Sequence, residues 1–252
     1  MEITYEYISG TTNAVLRGRL VYDDSLPVPL PAVIMLTGDG PKGTKSLSWV
    51  NMPPRLMEVG VASFLFDFEG LGYSDGIRRQ LSLTKGMDNL RSTFVFISQL
   101  DLVDKSRLGF LGSSFGATAL LLQPDIANKA KLIGLKSPAS FLADAYINEI
   151  RDAGLDRWLI EGYLDDNGYD IEVLLDCLRH NAFESAMNVT SPCLITHGDA
   201  DEIVPVRQSK MLAACLAGKT RLEVFPKCDH GYSVDGAWER MATMFVSWFK
   251  DL

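Results

Sequence analysis

The chain has 252 residues, of which 47% are hydrophobic and 22% are charged. This is the composition of a globular protein with one sizeable domain, or with one domain that carries a modest insertion. The net charge of −8 and the lack of any Lys/Arg cluster along the sequence argue against a nucleic-acid partner, because phosphate binding needs concentrated positive charge. No stretch approaches the roughly 18 apolar residues of a membrane span, so we expect no membrane insertion.

The start of the chain and its cysteines bear on the cellular compartment. Residues 1–7 lack the basic start and the apolar run of a signal peptide. The four cysteines are far apart and have no metal-ligand spacing: Cys177, Cys193, Cys215 and Cys228. We therefore expect reduced thiols, a cytoplasmic protein and no metal site.

Short apolar runs predict the strands. Residues 3–8 and 14–22 are strand-like and are separated by a turn-forming segment, which favours a hairpin. Continuous apolar runs follow, as expected of strands buried on both faces of a parallel sheet. These runs cover residues 32–36, 62–66, 108–111, 132–135 and 193–196, and a weaker one covers 221–225.

Helical patterns separate these runs. Leu83, Met87, Leu90, Phe94 and Ile97 are spaced alternately by four and three residues, which places them on one helix face. A further stripe of the same spacing lies near the C-terminus and consists of Ala237, Met241, Met244 and Trp248. The alternation of strands and helices predicts an α/β fold with a mostly parallel sheet of about eight strands, flanked by helices.

One region interrupts this alternation. Residues 140–189 contain helical pieces but no strand-like run, and about fifty residues are too many for an ordinary crossover loop. We interpret this region as a small helical cap inserted into a core domain formed by residues 1–139 and 190–252.

The segment 112–116, Gly-Ser-Ser-Phe-Gly, follows an apolar run and precedes a helical stretch. A nucleophilic serine on such a strand–turn–helix needs small residues two positions before and after it, because strand and helix approach closely there. The flanking glycines select Ser114 rather than Ser113. The helix begins at the serine, so its positive end and the N–H of Phe115 face the place where an oxyanion would form.

A serine nucleophile needs a base, and the chain has three histidines. The chain order for this arrangement is nucleophile, acid, histidine. His230 is the histidine that follows the acidic loop after residues 193–196, so it is the predicted base. Asp199 and Asp201 both qualify as the acid by spacing. His197 ends a strand and is expected to support the acid loop, whereas His180 belongs to the helical insertion.

At this point the chain resembles the α/β-hydrolase superfamily over essentially its whole length. Within it, the chain is similar to small cytoplasmic carboxylesterases of the cinnamoyl/feruloyl esterase and serine-aminopeptidase-like group. Four segments carry the resemblance: residues 112–116, 197–205, 229–231 and 67–76. Residues 197–205 resemble the family's His-Gly-x-x-Asp-x-x-Val-Pro, which implies that Asp201, rather than Asp199, is the acid.

One loop departs from the family pattern. The family usually has His-Gly after the first buried strand, and the next residue gives the first oxyanion N–H. This chain has Thr37-Gly38-Asp39-Gly40 instead. By position, the backbone N–H of Asp39 would pair with that of Phe115, and a backbone donor survives a change of side chain. The Asp39 carboxylate would oppose an oxyanion unless it turns away or is paired.

Together these features predict a serine hydrolase that cleaves a carboxylic ester through an acyl-enzyme on Ser114, with His230 and Asp201 as base and acid. The substrate would be a small-molecule ester with a short to medium or aromatic acyl group, and no cofactor is implied. Apolar and aromatic cap residues are the candidate substrate-binding residues: Phe141, Tyr146, Trp158 and Tyr163.

Two other functions remain compatible with the sequence. The same triad would serve an acyl thioesterase or a hydrolase of small peptides. The departure at Thr37 and Asp39 is compatible with a non-catalytic protein that uses the fold to bind a ligand. A homodimer is one of the assemblies that the sequence allows.

Overall fold

A computed structural model describes residues 1–163 and 168–252. Its strands form one eight-stranded sheet in the order β1-β2-β4-β3-β5-β6-β7-β8. The strands are β1 (Glu2–Ile8), β2 (Val15–Val21), β3 (Leu30–Leu36), β4 (Ala62–Phe66), β5 (Val103–Ser113), β6 (Leu132–Lys136), β7 (Cys193–Gly198) and β8 (Thr220–Phe225). The fold class predicted from the alternation of strands and helices is confirmed.

The sheet is antiparallel at one edge and parallel elsewhere. β1 and β2 form the expected hairpin, with Glu2 opposite Val21 and Ile8 opposite Val15. β2 is antiparallel to β4, and the neighbours from β4 through β8 are all parallel. The carboxyl ends of the parallel strands therefore meet at one edge, where sites form in such sheets.

Helices cover both faces of the sheet. They are α1 (Leu47–Met57), α2 (Leu83–Ile97), α3 (Phe115–Leu121), α4 (Pro124–Ala127), α5 (Leu142–Glu161), α6 (Ile171–Cys177), α7 (Ala182–Ala186), α8 (Arg207–Cys215) and α9 (Ala237–Phe249). Successive residues of a strand point to opposite faces. In β3, Ile34 belongs to the apolar core shared with α2, α3 and α8, whereas Val33 and Met35 belong to the core shared with α1 and α9.

Two details differ from the pattern in the sequence. β5 begins five residues before the apolar run at 108–111, because its first half carries polar, partly exposed residues that the pattern passes over. In α9 the buried face is centred on Met241, Phe245 and Phe249, and Trp248 of the predicted stripe is only half-buried.

The described part of residues 140–189 contains α5, α6 and α7 and one isolated bridge between Tyr163 and Asp170. The predicted absence of a regular strand holds for that part. Its buried side chains, Trp158 among them, join the same apolar core as α2 and α3. Of the helices in the described ranges, none combines the length and apolar character needed to cross a membrane.

Candidate active site

Ser114 lies at the turn between β5 and α3, with backbone angles φ 47° and ψ −115°. A positive φ is strained for a residue with a side chain and is typical of functional turns. The flanking glycines permit the turn. A Cβ on Gly112 would lie 2.8 Å from Ala117 Cα, and a Cβ on Gly116 would lie 2.4 Å from the Thr37 carbonyl oxygen. The predicted strand–turn–helix around Ser114 is therefore present.

His230 and Asp201 form a close pair. The Nδ1 atom of His230 lies 2.7 Å from Asp201 Oδ2, and the Asp201 side chain is fully buried. Because a carboxylate only accepts hydrogen bonds, Nδ1 carries the proton and Nε2 is left as an acceptor. Asp199 has a different partner, since its Oδ1 accepts the N–H of Lys227 at 2.5 Å. Of the two acids that spacing left open, Asp201 is the one beside His230.

His197 supports Asp201 from the other side. Its Nε2 lies 2.8 Å from the Val204 carbonyl oxygen and 3.2 Å from Asp201 Oδ2, so Nε2 carries the proton. Its Nδ1 then accepts from the Ser209 hydroxyl at 2.6 Å. Burial would raise the pKa of Asp201, but hydrogen bonds from His197 and His230 outweigh it and hold that pKa well below the usual range. Asp201 thus stays ionised beside the imidazole of His230.

Ser114 and His230 line the same cavity, which has a volume of about 1190 Å³. Two of the four predicted substrate-binding residues, Tyr146 and Trp158, also line it. The indole Nε1 of Trp158 is buried and has no hydrogen-bond partner among the described residues. The cavity therefore brings the predicted nucleophile and base together with aromatic side chains of α5.

The other two predicted residues lie elsewhere. Phe141 precedes α5, and its N–H donates to Gln208 Oε1 at 3.0 Å. The Tyr163 ring packs under the Arg79 guanidinium at 5.0 Å. Neither Phe141 nor Tyr163 is among the described residues that line the cavity. The sequence indicated that aromatic residues were present in this region, but it could not show which of them face the cavity.

The Thr37–Gly40 loop lies directly against Ser114, since a Cβ on Gly38 would be 3.5 Å from Ser114 Cβ. The backbone N–H of Asp39 donates no hydrogen bond to any described residue. Phe115 is the first residue of α3, where N–H groups have no partner within the helix. Both predicted oxyanion donors are thus unused and lie in segments that flank Ser114.

The Asp39 carboxylate, which the sequence left as a problem for an oxyanion, is paired. Its Oδ2 accepts hydrogen bonds from the hydroxyls of Tyr146 at 2.8 Å and Tyr169 at 2.6 Å. Burial and the Asp39 charge raise the pKa of both tyrosines well above their ordinary value, so both remain donors. Arg78 adds a hydrogen bond from Nε to the Asp39 carbonyl oxygen at 2.9 Å. The carboxylate charge is therefore held by donors that leave the backbone N–H unoccupied.

Sequence reasoning missed Arg78, Tyr169 and Lys136, all of which line the cavity. Tyr169 lies within the predicted helical cap, residues 140–189, and no recognisable motif marks it. Lys136 did have a signal, because a lysine that ends a buried apolar run at the carboxyl edge of a parallel sheet falls where sites form. Its Nζ donates to the His230 carbonyl oxygen at 3.0 Å.

Comparisons with known proteins find relatives of low sequence identity. No protein-family model matches the chain. It is 24% identical over 234 residues, 77% of this chain and 82% of the relative, to the "Uncharacterized 31.7 kDa protein in traX-finO intergenic region" of Escherichia coli. It is also 27% identical over 167 residues, 62% of this chain and 54% of the relative, to the "Palmitoyl-protein thioesterase ABHD10, mitochondrial" of Rattus norvegicus.

Solved structures establish the fold. Est1E from Butyrivibrio proteoclasticus, with ferulic acid bound, superimposes with a TM-score of 0.81 and 22% identity, over 96% of this chain and 98% of that one. The esterase domain of a Rhodothermus marinus protein superimposes with a TM-score of 0.73 and 18% identity, over 100% and 98% of the two chains. This protein has the α/β-hydrolase fold, and the resemblance stated from its motifs is confirmed at that level.

Proposed function

We propose that this protein is a serine hydrolase that cleaves a carboxylic ester with a short to medium or aromatic acyl group. One observation carries the proposal. Ser114, at a turn with positive φ, and His230, paired with Asp201 at 2.7 Å, line one cavity. A nucleophile, a base and an acid that orients the base are the three parts that acyl transfer through a covalent intermediate requires.

The proposed reaction runs in two halves. Ser114 Oγ attacks the ester carbonyl carbon while His230 Nε2 takes the hydroxyl proton, and Asp201 stabilises the imidazolium that results. The tetrahedral intermediate expels the alcohol, which receives the proton from His230. Water then attacks the acyl-enzyme by the same route and releases the acid and Ser114.

The proposed oxyanion hole consists of the backbone N–H groups of Asp39 and Phe115. The position of these two groups supports this assignment, because both are free donors in segments that flank Ser114. Two donors aimed at the developing charge act more strongly away from bulk water. The pairing of the Asp39 carboxylate with Tyr146 and Tyr169 reduces the opposition that its charge would otherwise offer.

The size and lining of the cavity favour the substrate class. A volume of about 1190 Å³ is somewhat above the roughly 300–1,000 Å³ of typical small-molecule sites, so it has room for such an ester. Tyr146 and Trp158 offer aromatic walls. A structural neighbour has been solved with ferulic acid bound, which supports an aromatic acyl group as one substrate to test.

An acyl thioester is the alternative candidate substrate. It is favoured by the similarity to a relative named as a palmitoyl-protein thioesterase. The same nucleophile and base would serve, because attack on a thioester carbonyl follows the same acyl-enzyme route.

Kinetics on a substrate panel would test the proposal. The panel comprises p-nitrophenyl esters of increasing acyl length, methyl ferulate and an acyl-CoA, measured with wild type and with Ser114→Ala. We expect turnover of short to medium or aromatic esters, lost by about 10⁴-fold or more in Ser114→Ala. Equal rates in the two proteins would overturn the assignment of Ser114. A marked preference for palmitoyl substrates would overturn the proposed acyl class.

A further inference from the structure

Lys136 is a buried lysine beside the proposed nucleophile. It is the last residue of β6, its relative exposure is 8%, and it lines the cavity with Ser114 and His230. Its backbone carbonyl oxygen accepts the N–H of Ser114 at 3.1 Å. The lysine and the nucleophilic turn are therefore held together by the backbone.

The ammonium of Lys136 is incompletely satisfied. It has three N–H donors, and within the described residues its Nζ makes a single hydrogen bond, to the His230 carbonyl oxygen at 3.0 Å. Nζ also lies 4.9 Å from the centre of the Tyr232 ring. No carboxylate of the described chain lies within 4.0 Å of it. A buried cation without a counter-ion is costly, and proteins normally pair such groups.

The surroundings agree with a missing negative partner. Burial lowers the pKa of Lys136 to about 8, and the charges of Asp201 and Asp229 oppose that shift only in part. These groups therefore do not supply the partner that the ammonium lacks. A water molecule could accept the remaining hydrogen bonds, but it could not balance the charge.

The cavity as a whole concentrates positive charge, although the chain carries a net charge of −8. In addition to Lys136, four cationic residues line its described part: Lys42, Arg78, Arg79 and Arg157. Arg79 pairs with Asp170 and Arg157 with Glu161. The one acidic residue among the described lining residues is Asp39, whose Oδ2 is already bound by two tyrosines. The cations are dispersed along the sequence, so only the folded chain shows them together.

From this geometry we propose that the substrate of Ser114 carries a carboxylate, in its acyl or its alcohol part, and that the Lys136 ammonium binds it. The inference rests on the proposed ester hydrolase function and specifies its substrate class. Lys136 would then determine specificity, because the two N–H groups that it does not use for His230 are the donors that a carboxylate would occupy. A bound carboxylate also supplies the counter-charge that no described residue supplies within 4.0 Å.

Substrate pairs in which one member has a free carboxylate and the other its methyl ester test this proposal. On the acyl side, mono-4-nitrophenyl adipate is compared with methyl 4-nitrophenyl adipate. On the alcohol side, 4-acetoxybenzoate is compared with methyl 4-acetoxybenzoate. We expect wild type to favour the charged member of one pair by about 10- to 100-fold in kcat/KM, the range of a hydrogen bond to a charged group. The pair that shows the preference identifies the side of the ester that carries the carboxylate.

Three variants separate charge recognition from the positioning of His230. Lys136→Met and Lys136→Gln both remove the charge, but Gln retains a donor for the His230 carbonyl oxygen. We expect both to abolish the charge preference, with Gln retaining more activity than Met on the neutral esters. The control is Lys129→Met, an exposed lysine outside the cavity lining, which changes the net charge equally and should retain the preference.

The readout is the ratio of the two kcat/KM values, because a purely structural defect lowers both members of a pair alike. A wild-type ratio near one for both pairs, or a ratio unchanged in Lys136→Met, would overturn the role of Lys136 while leaving the ester hydrolase standing. Binding gives a test that needs no turnover. Saturation-transfer NMR compares monomethyl adipate with dimethyl adipate, and 4-hydroxybenzoate with its methyl ester. Equal binding by wild type and Lys136→Met would contradict the proposal even if Ser114 proved inactive.

Discussion

The hydroxyl of Tyr169 donates a hydrogen bond to Asp39 Oδ2 at 2.6 Å, which joins residues 130 positions apart in the sequence. Tyr146 donates to the same oxygen at 2.8 Å. Asp39 is also the residue whose backbone N–H is the proposed first oxyanion donor. The loop that carries this donor is thus fixed by side chains from the region between β6 and β7. A substitution in the loop should therefore affect that region, and a substitution in that region should affect the loop.

Replacing Asp39 with Ala should destabilise the protein by about 1–3 kcal/mol, because two buried hydroxyls lose their acceptor. For a chain of this size that corresponds to a Tm lower by several degrees. Tyr169→Phe should cost less, because the carboxylate keeps its hydrogen bond from Tyr146. Thermal unfolding of the two variants beside wild type checks the order. A larger loss in Tyr169→Phe than in Asp39→Ala would contradict this account of the pairing.

Replacing Asp201 with Asn should lower kcat by about 10⁴-fold, because an amide does not hold the imidazole in the tautomer and charge state that the reaction needs. Asp199→Asn is the matched control, since Asp199 accepts from the backbone of Lys227 rather than from His230. We expect its kcat to stay close to that of wild type. Similar losses in both variants would show that the acid has been assigned to the wrong residue.

The two aromatic residues that line the cavity should influence substrate choice more than the two that do not. Trp158→Phe replaces an indole with a smaller ring and so enlarges the cavity. The preferred acyl chain in the p-nitrophenyl ester series should therefore become longer. Tyr163→Phe is the comparison, because Tyr163 is not among the described lining residues and Phe keeps the ring that packs against Arg79. It should leave the acyl preference unchanged. If Tyr163→Phe shifted the preference as much as Trp158→Phe, this cavity would not be the acyl site.

The pKa of Lys136 predicts how stability varies with pH. Its value of about 8 in the folded state lies below the ordinary 10.5, so between these two values the unfolded chain binds more protons. The Lys136 contribution to stability therefore rises with pH over that window. Lys136→Met removes the effect, so its free energy of unfolding relative to wild type should fall as the pH increases from about 8 to about 10.5. Urea unfolding across that window checks the sign, and parallel curves would contradict it.

The strands of the fold were predictable because burial on both faces leaves a continuous apolar run. β4 covers the predicted residues 62–66, and β6 and β7 begin where their runs begin. The length of β5 was underestimated, because partly exposed strand residues need not be apolar. The predicted buried face of α9 differs from the observed one because neighbouring apolar residues satisfy the same spacing. Only packing against the sheet decides which of them are buried.

The residues of the candidate site likewise differ in how far the sequence predicts them. Ser114 and His230 lie in short local patterns whose chemistry depends on neighbours in the sequence, and such patterns can be recognised in a single chain. Lys136, Arg78 and Tyr169 act through partners far away in the sequence. A lysine at the end of a strand is ordinary until the fold shows that it is buried beside His230 without a carboxylate. Long-range pairing of this kind leaves little trace in local composition.

Labelling with a fluorophosphonate tests the central claim most directly, since the reagent reacts covalently with an activated serine. Wild type and Ser113→Ala should label and Ser114→Ala should not, and mass spectrometry of the labelled peptide should place the adduct on Ser114. Failure of wild type to label, or equal labelling of Ser114→Ala, would contradict the assignment of Ser114 as the nucleophile of this fold.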